Sequence, residues 1–372
     1  MKIPMACADL SNEDIAAVVD VLHSGQLSLG PKAIEFEQQI ADYVGVKHAV
    51  AVSSGTSALH LLVRALGLGP GDEVLVPSFT FASSVNVILY EGATPVFVDI
   101  IPDTYTLDPV DLERKVTPHT KAIMAVDVFG HPAEWDEILR VADHYGLRVI
   151  DDSCEALGAE YKGRRLGKFG DAAAFAFYPN KQMTTGEGGI IVTDDDEIAV
   201  LCRSMRNQGR DEMGAWLEHV RLGYNYRMDE MSAALGVSQF KRLETFLQKR
   251  ERVARMYTER LQGLEGVHPP LVKPYVRMSW FVYVVTLAEG LARDPVMALM
   301  AEQGVPTRGY FAPIHTQRYI YEQFGDLSGM LPMTESVAQR TIALPFSAIM
   351  IETQVTYVCE VLKACLAKVI LG

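Results

Sequence analysis

Phe175-Ala176-Phe177-Tyr178-Pro179-Asn180-Lys181-Gln182-Met183-Thr184-Thr185-Gly186-Glu187-Gly188-Gly189 carries an apolar run into a single lysine and then into a glycine-rich turn. Upstream, Val149-Ile150-Asp151-Asp152-Ser153-Cys154 has the pattern of a buried strand ending in carboxylates. An α/β sheet gathers its ligand crevice at the carboxyl ends of its strands, so Asp152 and Lys181 are expected to face one another there. A lysine able to form a Schiff base and an acid able to hold a pyridinium nitrogen are the two groups that pyridoxal phosphate chemistry needs most. Alone, Lys181 reads as a surface lysine and Asp152 as a strand cap. Together they point to chemistry.

Outward from this pair, short β-branched runs alternate with helical patterns. The runs are His48 to Val52, Glu73 to Val76, Pro95 to Asp99, Ala122 to Val126, Arg148 to Asp152, Ala172 to Phe177 and Gly189 to Thr193. Helical patterns at Ser57 to Leu66, Ala82 to Tyr90 and Glu134 to Tyr145 separate the earlier ones. Near-continuous apolar strands with helices between them predict a largely parallel sheet covered on both faces. Ser11-Asn12-Glu13-Asp14 has capping-box-like spacing for a first helix, closed by Ser24-Gly25. A second helix starts at Pro31 and carries Ile34, Phe36 and Ile40.

Met231, Leu235, Val237 and Phe240, continued by Leu243 and Leu247, predict one long helix leading into a smaller domain. There, Trp280 to Leu287 reads as a strand, Asp294 to Glu302 as a helix and Val355 to Leu366 as a terminal helix. The expected division is an N-terminal arm with a large domain over 1–245 and a small α+β domain over 246–372.

Ala49-Val50-Ala51-Val52-Ser53-Ser54-Gly55-Thr56-Ser57-Ala58-Leu59 is a strand, a small-residue turn and a helix start. Unpaired amides at such a start, on the positive end of the helix dipole, suit a phosphate. Taken alone, the segment is a capped βα turn. It is not a P-loop, and Gly67, Gly69 and Gly71 fall at the wrong spacing for a dinucleotide fingerprint.

The 372 residues suffice for two domains, with 49% hydrophobic and 22% charged residues in the range of soluble globular chains. Against 34 Lys and Arg stand 47 Asp and Glu, a formal charge of −13 that argues against a general nucleic-acid binder. Five cysteines, without metal-ligand spacing, suit a reducing cytoplasm and imply no metal. The stretch Met1 to Asp9 lacks a signal-peptide core, and no apolar run nears the roughly 20 residues that span a bilayer.

Several ordered blocks now add up. Gly30-Pro31 with Phe36-Glu37, Ser53-Ser54-Gly55-Thr56-Ser57-Ala58-Leu59 and Gly69-Pro70-Gly71-Asp72-Glu73-Val74 come first. Pro77-Ser78-Phe79-Thr80-Phe81, Gly92-Ala93-Thr94-Pro95-Val96-Phe97-Val98-Asp99, Thr184-Thr185-Gly186-Glu187-Gly188-Gly189 and Gly223-Tyr224-Asn225-Tyr226-Arg227-Met228 follow. Across nearly its whole length the chain resembles the sugar aminotransferases of the DegT/DnrJ/EryC1/StrS family.

That resemblance implies a type I pyridoxal-phosphate fold, like that of aspartate aminotransferase, working as a homodimer. It assigns Lys181 as the Schiff-base lysine and Asp152 as the pyridinium partner. Gly55 and Thr56 fall where the family holds the phosphate, and Phe81 where an aromatic ring stacks on the pyridine. Asn225 falls where a neighbouring subunit reaches the phosphate, which makes the site a shared one. Without the family, Phe81 reads as core and Asn225 as a turn residue.

Two positions depart from the family. A phosphate-binding serine is replaced by Ala176; losing a hydrogen bond to a charged group costs ~1.5–3 kcal/mol, and Asn180 is the expected substitute donor. Glu155 stands where many members carry a glutamine beside the cofactor's phenolic oxygen. Two anions there repel, so Glu155 is expected to be protonated or turned away. Relatives with histidine at the lysine position are dehydratases, so Lys181 favours transamination.

The family's acceptor is a nucleotide-linked keto-deoxysugar and its donor glutamate. Tyr178 and His315 match positions near the sugar, while Arg164, Arg165, Arg227 and Arg308 are candidates for a diphosphate or donor carboxylate. The alternatives are transamination of an unactivated keto-cyclitol or keto sugar, and a non-catalytic sensor that binds pyridoxal phosphate.

Overall fold

The computed structural model describes residues 3–211 and 218–371; Met1 and Lys2 of the amino-terminal stretch lie outside it. Two helices come first, α1 (Asn12–Ser24) and α2 (Pro31–Val44). Ser11 and Asp14 form the capping box of α1, and Gly25 ends it in the left-handed region at φ 72°. The chain then alternates: β1 (His48–Val52), α3 (Gly55–Ala65), β2 (Glu73–Pro77), α4 (Ala82–Tyr90) and β3 (Thr94–Val98). It continues through α5 (Pro109–Arg114), β4 (Thr120–Val126), α6 (Trp135–Tyr145) and β5 (Arg148–Asp152). Two short strands, β6 (Glu160–Tyr161) and β7 (Arg164–Arg165), precede β8 (Ala172–Ala176), β9 (Gly189–Thr193) and α7 (Asp196–Arg206).

The main sheet has the order β1-β9-β8-β5-β4-β2-β3. All neighbours from β8 to β3 pair in parallel, whereas β9 runs antiparallel to both β1 and β8. One reversed strand in an otherwise parallel sheet follows from the connection: β8 and β9 are joined by the lysine-bearing loop rather than by a crossover helix. Apolar clusters cover both faces, one with Leu59, Leu62, Val76 and Ile150, others with Phe36, Phe175 and Ile190 or with Trp135, Ile138 and Phe169.

The expected single helix after residue 228 is two, α8 (Glu230–Phe240) and α9 (Leu243–Leu261). The break is at Arg242, whose backbone leaves helical geometry (φ −108°, ψ 5°) while its guanidinium binds Asp14 Oδ2 at 2.6 Å and the Asp9 carbonyl at 3.0 Å. Helix α9 straddles two cores: Leu243, Phe246 and Leu247 pack in the first, Val253, Ala254, Tyr257 and Leu261 in the second.

The second core is built on β10 (Val267–His268), β12 (Tyr283–Leu287) and β13 (Thr341–Leu344), in sheet order β10-β12-β13. Strand β11 (Val276–Arg277) instead pairs with β6. Helices α10 (Arg293–Glu302), α11 (Arg318–Phe324), α12 (Pro332–Arg340) and α13 (Glu352–Leu371) complete this part. Ile3 and Met5 of the amino-terminal arm pack here, with the Phe346 amide donating to the Met5 carbonyl at 3.0 Å. The arm thus packs in a core that joins carboxy-terminal residues to Phe79, Val126 and Phe129 of the first part.

Under β5 lies a carboxyl pair. Asp127 and Asp151 are both fully buried, and Ser153 Oγ lies 2.6 Å from one and 2.8 Å from the other. Burial raises Asp127 to about 6. Burial first, then the neighbouring Asp127, holds Asp151 well above the ordinary aspartate range. Folded values above unfolded ones mean that each carboxyl's contribution is complete below pH ~4 and is lost as pH rises through its folded value, about 6 for Asp127 and higher than the ordinary aspartate range for Asp151. Asp151→Asn keeps the shape and remains neutral. Its melting temperature should therefore gain on wild type as pH rises from 5 to 8, by the equivalent of up to about 1.4 kcal/mol for each pH unit below the folded value of Asp151. A difference independent of pH, in melting curves taken across that range, would refute the shared-proton pair.

Candidate active site

At the carboxyl ends of β4, β5 and β8 lies a cavity of about 480 Å³. Its walls include Gly55, Thr56, Phe81, Asp152, Glu155, Tyr178, Asn180 and Lys181. The two strand-end groups read from the sequence thus open onto one space.

Asp152 is 4% exposed at the tip of β5. The Ser84 hydroxyl donates to its Oδ2 at 2.6 Å and in turn accepts from Thr80 at 2.8 Å; the Cys154 amide donates to Oδ1 at 3.2 Å. These donors are neutral, so the carboxylate keeps its charge for a cationic partner. Lys181 follows a turn closed by its own amide on the Tyr178 carbonyl, 2.9 Å. Its Nζ lies 3.6 Å from Glu155 Oε1 and 3.9 Å from the centroid of the Phe281 ring.

Glu155 is not turned away: Oε1 faces the lysine while Oε2 accepts the Phe129 amide at 2.9 Å. Burial pushes its carboxyl above the ordinary glutamate range, and the Lys181 ammonium pulls it back. Phe129 itself sits in the left-handed region, φ 60°, a cost that a bulky residue bears where its amide is needed.

At the opposite end, α3 points its first turn at the cavity. Ser54 caps it by accepting the Ser57 amide at 3.0 Å, and the amides of Gly55 and Thr56 precede the first intrahelical bond. A Cβ on Gly55 would come within 2.8 Å of the Ala176 Cβ and 2.9 Å of Cys154 Sγ, so this close approach requires glycine. Ala176 also lines the cavity. Asn180 lines the cavity, and its Oδ1, an acceptor, is buried with no hydrogen-bond partner; a bond to a phosphate would have to come from its amide nitrogen.

The residues fit pyridoxal phosphate. A buried anion held by neutral donors suits a pyridinium, an amine stands beside it, and an open helix start suits the phosphate.

Three sequence expectations fare differently. His315 is 1% exposed and does not line the cavity: Ser78 Oγ lies 2.7 Å from Nδ1 and Glu335 Oε1 3.0 Å from Nε2. Both ring nitrogens are thus engaged within the protein. Its neighbours Tyr310 and Phe311 are the ones at the cavity wall. Asn225 is exposed and lies outside this cavity, in a loop bridged to Asn207. Arg164, Arg165, Arg227 and Arg308 donate to Lys168, Tyr43, Asn207 and Thr307 respectively, and none lines the cavity.

Glu187 and Cys154 also line the cavity, and burial pushes the Cys154 thiol well above its usual range. Both stand inside the quoted motifs. Phe281 and Ser84 carried no such signal.

Comparison with known proteins agrees with this geometry. Residues 8–363 match the DegT/DnrJ/EryC1/StrS aminotransferase family. GDP-perosamine synthase of Caulobacter vibrioides is 42% identical over 84% of this chain and 85% of that protein. The crystal structure of DesV from S. venezuelae, 35% identical, superposes with a TM-score of 0.92 over 98% of each chain. The PLP-form of Spr1654 from Streptococcus pneumoniae, a putative sugar aminotransferase 29% identical, reaches a TM-score of 0.94 over 99% of this chain and 100% of that one. With the amine, the acid and an open helix start on one cavity, the chain is a pyridoxal-phosphate-dependent aminotransferase and belongs to the DegT/DnrJ/EryC1/StrS family.

Proposed function

We propose that the protein transfers an amino group from glutamate to a nucleotide-linked keto sugar. The carrying observation is the shared cavity of Lys181 and Asp152. When bound, pyridoxal phosphate supplies the carbonyl that receives the amino group and the ring that takes up electrons. Lys181 would hold the cofactor covalently and, once released, would move the proton at the substrate carbon. Asp152 would favour the protonated form of the ring nitrogen. The amides of Gly55 and Thr56 would hold the phosphate, with up to ~2 kcal/mol from the helix dipole, and Asn180 would replace the serine lost at Ala176. Glu155, whose Oε1 lies 3.6 Å from Lys181 Nζ, would stand beside the phenolic oxygen of the bound cofactor. Phe81 would stack on the ring, while Phe281, Tyr310 and Phe311 would exclude water and Tyr178 would meet the sugar; all five line the cavity.

The relatives support the acceptor class, since GDP-perosamine synthase and the dTDP-3-amino-3,4,6-trideoxy-alpha-D-glucose transaminase of Streptomyces venezuelae bear nucleotide-sugar names. The loaded protein should be yellow, lose that colour with glutamate, and regain it with GDP- or dTDP-linked keto sugars. Recovery with free keto sugars or cyclitols alone would move the acceptor to the unactivated class, and no bleaching by glutamate would remove the donor.

The cytoplasm fits five unpaired cysteines among the described residues. No described helix is long and apolar enough to cross a membrane.

A second copy of the chain completes the site through Asn225. What supports this is its exposure, together with that of Leu222 in the same loop, 67% exposed, and of Ile34, 70%. Mixing inactive Lys181→Ala with Asn225→Ala chains should then rebuild one intact site per mixed dimer. Activity in the mixture should exceed the sum of the separate variants, and strict additivity would contradict the shared site.

A further inference from the structure

We infer that Arg250 is a positioning residue for Lys181: its guanidinium ties the backbone of the lysine to the aromatic wall that the amine touches. Arg250 stands on α9 and is 3% exposed. Its Nη2 donates to the carbonyls of Asn180 at 3.1 Å and Lys181 at 2.5 Å. Its Nη1 donates to those of Trp280 at 3.0 Å and Phe281 at 3.2 Å. All four acceptors are backbone oxygens, from two segments of chain far apart in sequence.

Taking a guanidinium out of water is costly, and carbonyl dipoles return less than a carboxylate would. A position needed only for packing would take an apolar side chain. What the cation secures lies at the cavity. One pair of bonds fixes the backbone of Lys181 and the other that of Phe281, and Lys181 Nζ rests 3.9 Å from the Phe281 ring. Trp280 is held in the left-handed region at φ 54°, and the next residue of α9, Glu251, accepts its indole N–H at 2.5 Å. Consecutive residues of one helix thus hold the turn from which Phe281 projects. A planar fork spans both carbonyl pairs at once; a lysine ammonium is a point charge and does not. Because α9 runs from the first core into the second, this side chain also conveys the placement of the second core to the lysine.

This inference rests on Lys181 being the residue that captures the cofactor. The test follows the rise of bound-cofactor absorbance after empty wild type, Arg250→Lys and Arg250→Gln are mixed with pyridoxal 5'-phosphate, with melting temperatures measured alongside. Arg250→Gln should capture about 10–100-fold more slowly, the cost of misplacing a reacting group by about 1 Å. Arg250→Lys, which keeps the charge, should fold like wild type, recover part of that loss and still capture severalfold more slowly. A folded Arg250→Lys that captures at the wild-type rate with an unchanged band overturns the inference, and it decides the question alone if Arg250→Gln does not fold. If wild type itself captures nothing, the functional reading fails beneath it, a result separable from the first.

Discussion

Replacing Lys181 by alanine should abolish turnover while leaving the fold intact. Loss of a positioned proton-transfer group alone costs ~10²–10⁴-fold. The same substitution removes the covalent anchor, and the two losses fall on one side chain, so no residual pathway through another amine of the cavity is left. Among the described residues that line the cavity, Lys181 is the only lysine or arginine. The fold should tolerate the change. The lysine side chain contacts Glu155 and the Phe281 ring at the cavity surface rather than packing in a core, and Glu155, left without its cation, can take up a proton. Far-ultraviolet circular dichroism should match wild type, with turnover under saturating glutamate and acceptor at background. A folded variant keeping most of its rate would remove Lys181 from the chemistry.

Asp152→Asn should be nearly as damaging, and by a different route. The carboxylate is buried and receives two hydrogen bonds from neutral groups, so it is an anion prepared for a cationic partner. An amide can accept the Ser84 proton but offers no charge to a pyridinium. Breaking a buried ion pair from one side costs ~3–5 kcal/mol. If that cost falls on the step in which the ring takes up electrons, turnover drops ~10²–10⁴-fold. Lys181 remains, so the variant should still bind the cofactor covalently and show its absorbance. That combination, capture without turnover, separates Asp152 from Lys181. Wild-type turnover in Asp152→Asn, measured by product formation, would contradict the pyridinium assignment.

Much of this was legible in the sequence because the signals are local. Each strand of the main sheet is a run of apolar residues bounded by turn residues, and the runs read from composition match β1 to β5, β8 and β9 to within about two residues. Asp152 was legible because it terminates such a run, and Lys181 because it is a lone lysine in the loop that follows one.

Direction was not. Nothing in Gly189 to Thr193 says that β9 runs against its neighbours, because that depends on the short loop before it. The apolar period from Met231 to Leu247 continues through a break that Arg242 imposes by reaching for Asp9 and Asp14, residues more than two hundred positions away. The strand expected from Trp280 begins at Tyr283, since the preceding carbonyls are taken by Arg250.

The same limit applies at the site. Glu155 was placed beside the cofactor by motif, but its anchor on Phe129 needs the order of β4 and β5 in the sheet. His315, read from its motif as near the sugar, bonds to Ser78 and Glu335, while Tyr310 and Phe311, which the sequence did not single out, reach the cavity wall. Motifs located the wall. Which side chain faces inward is settled by packing.

The most direct measurement is chemical trapping. The protein is loaded with pyridoxal 5'-phosphate, reduced with borohydride to fix any carbon–nitrogen bond, digested, and its peptides weighed. The account predicts a single pyridoxyl mass on the peptide that carries Lys181. A label on any other lysine, or none at all, would contradict it.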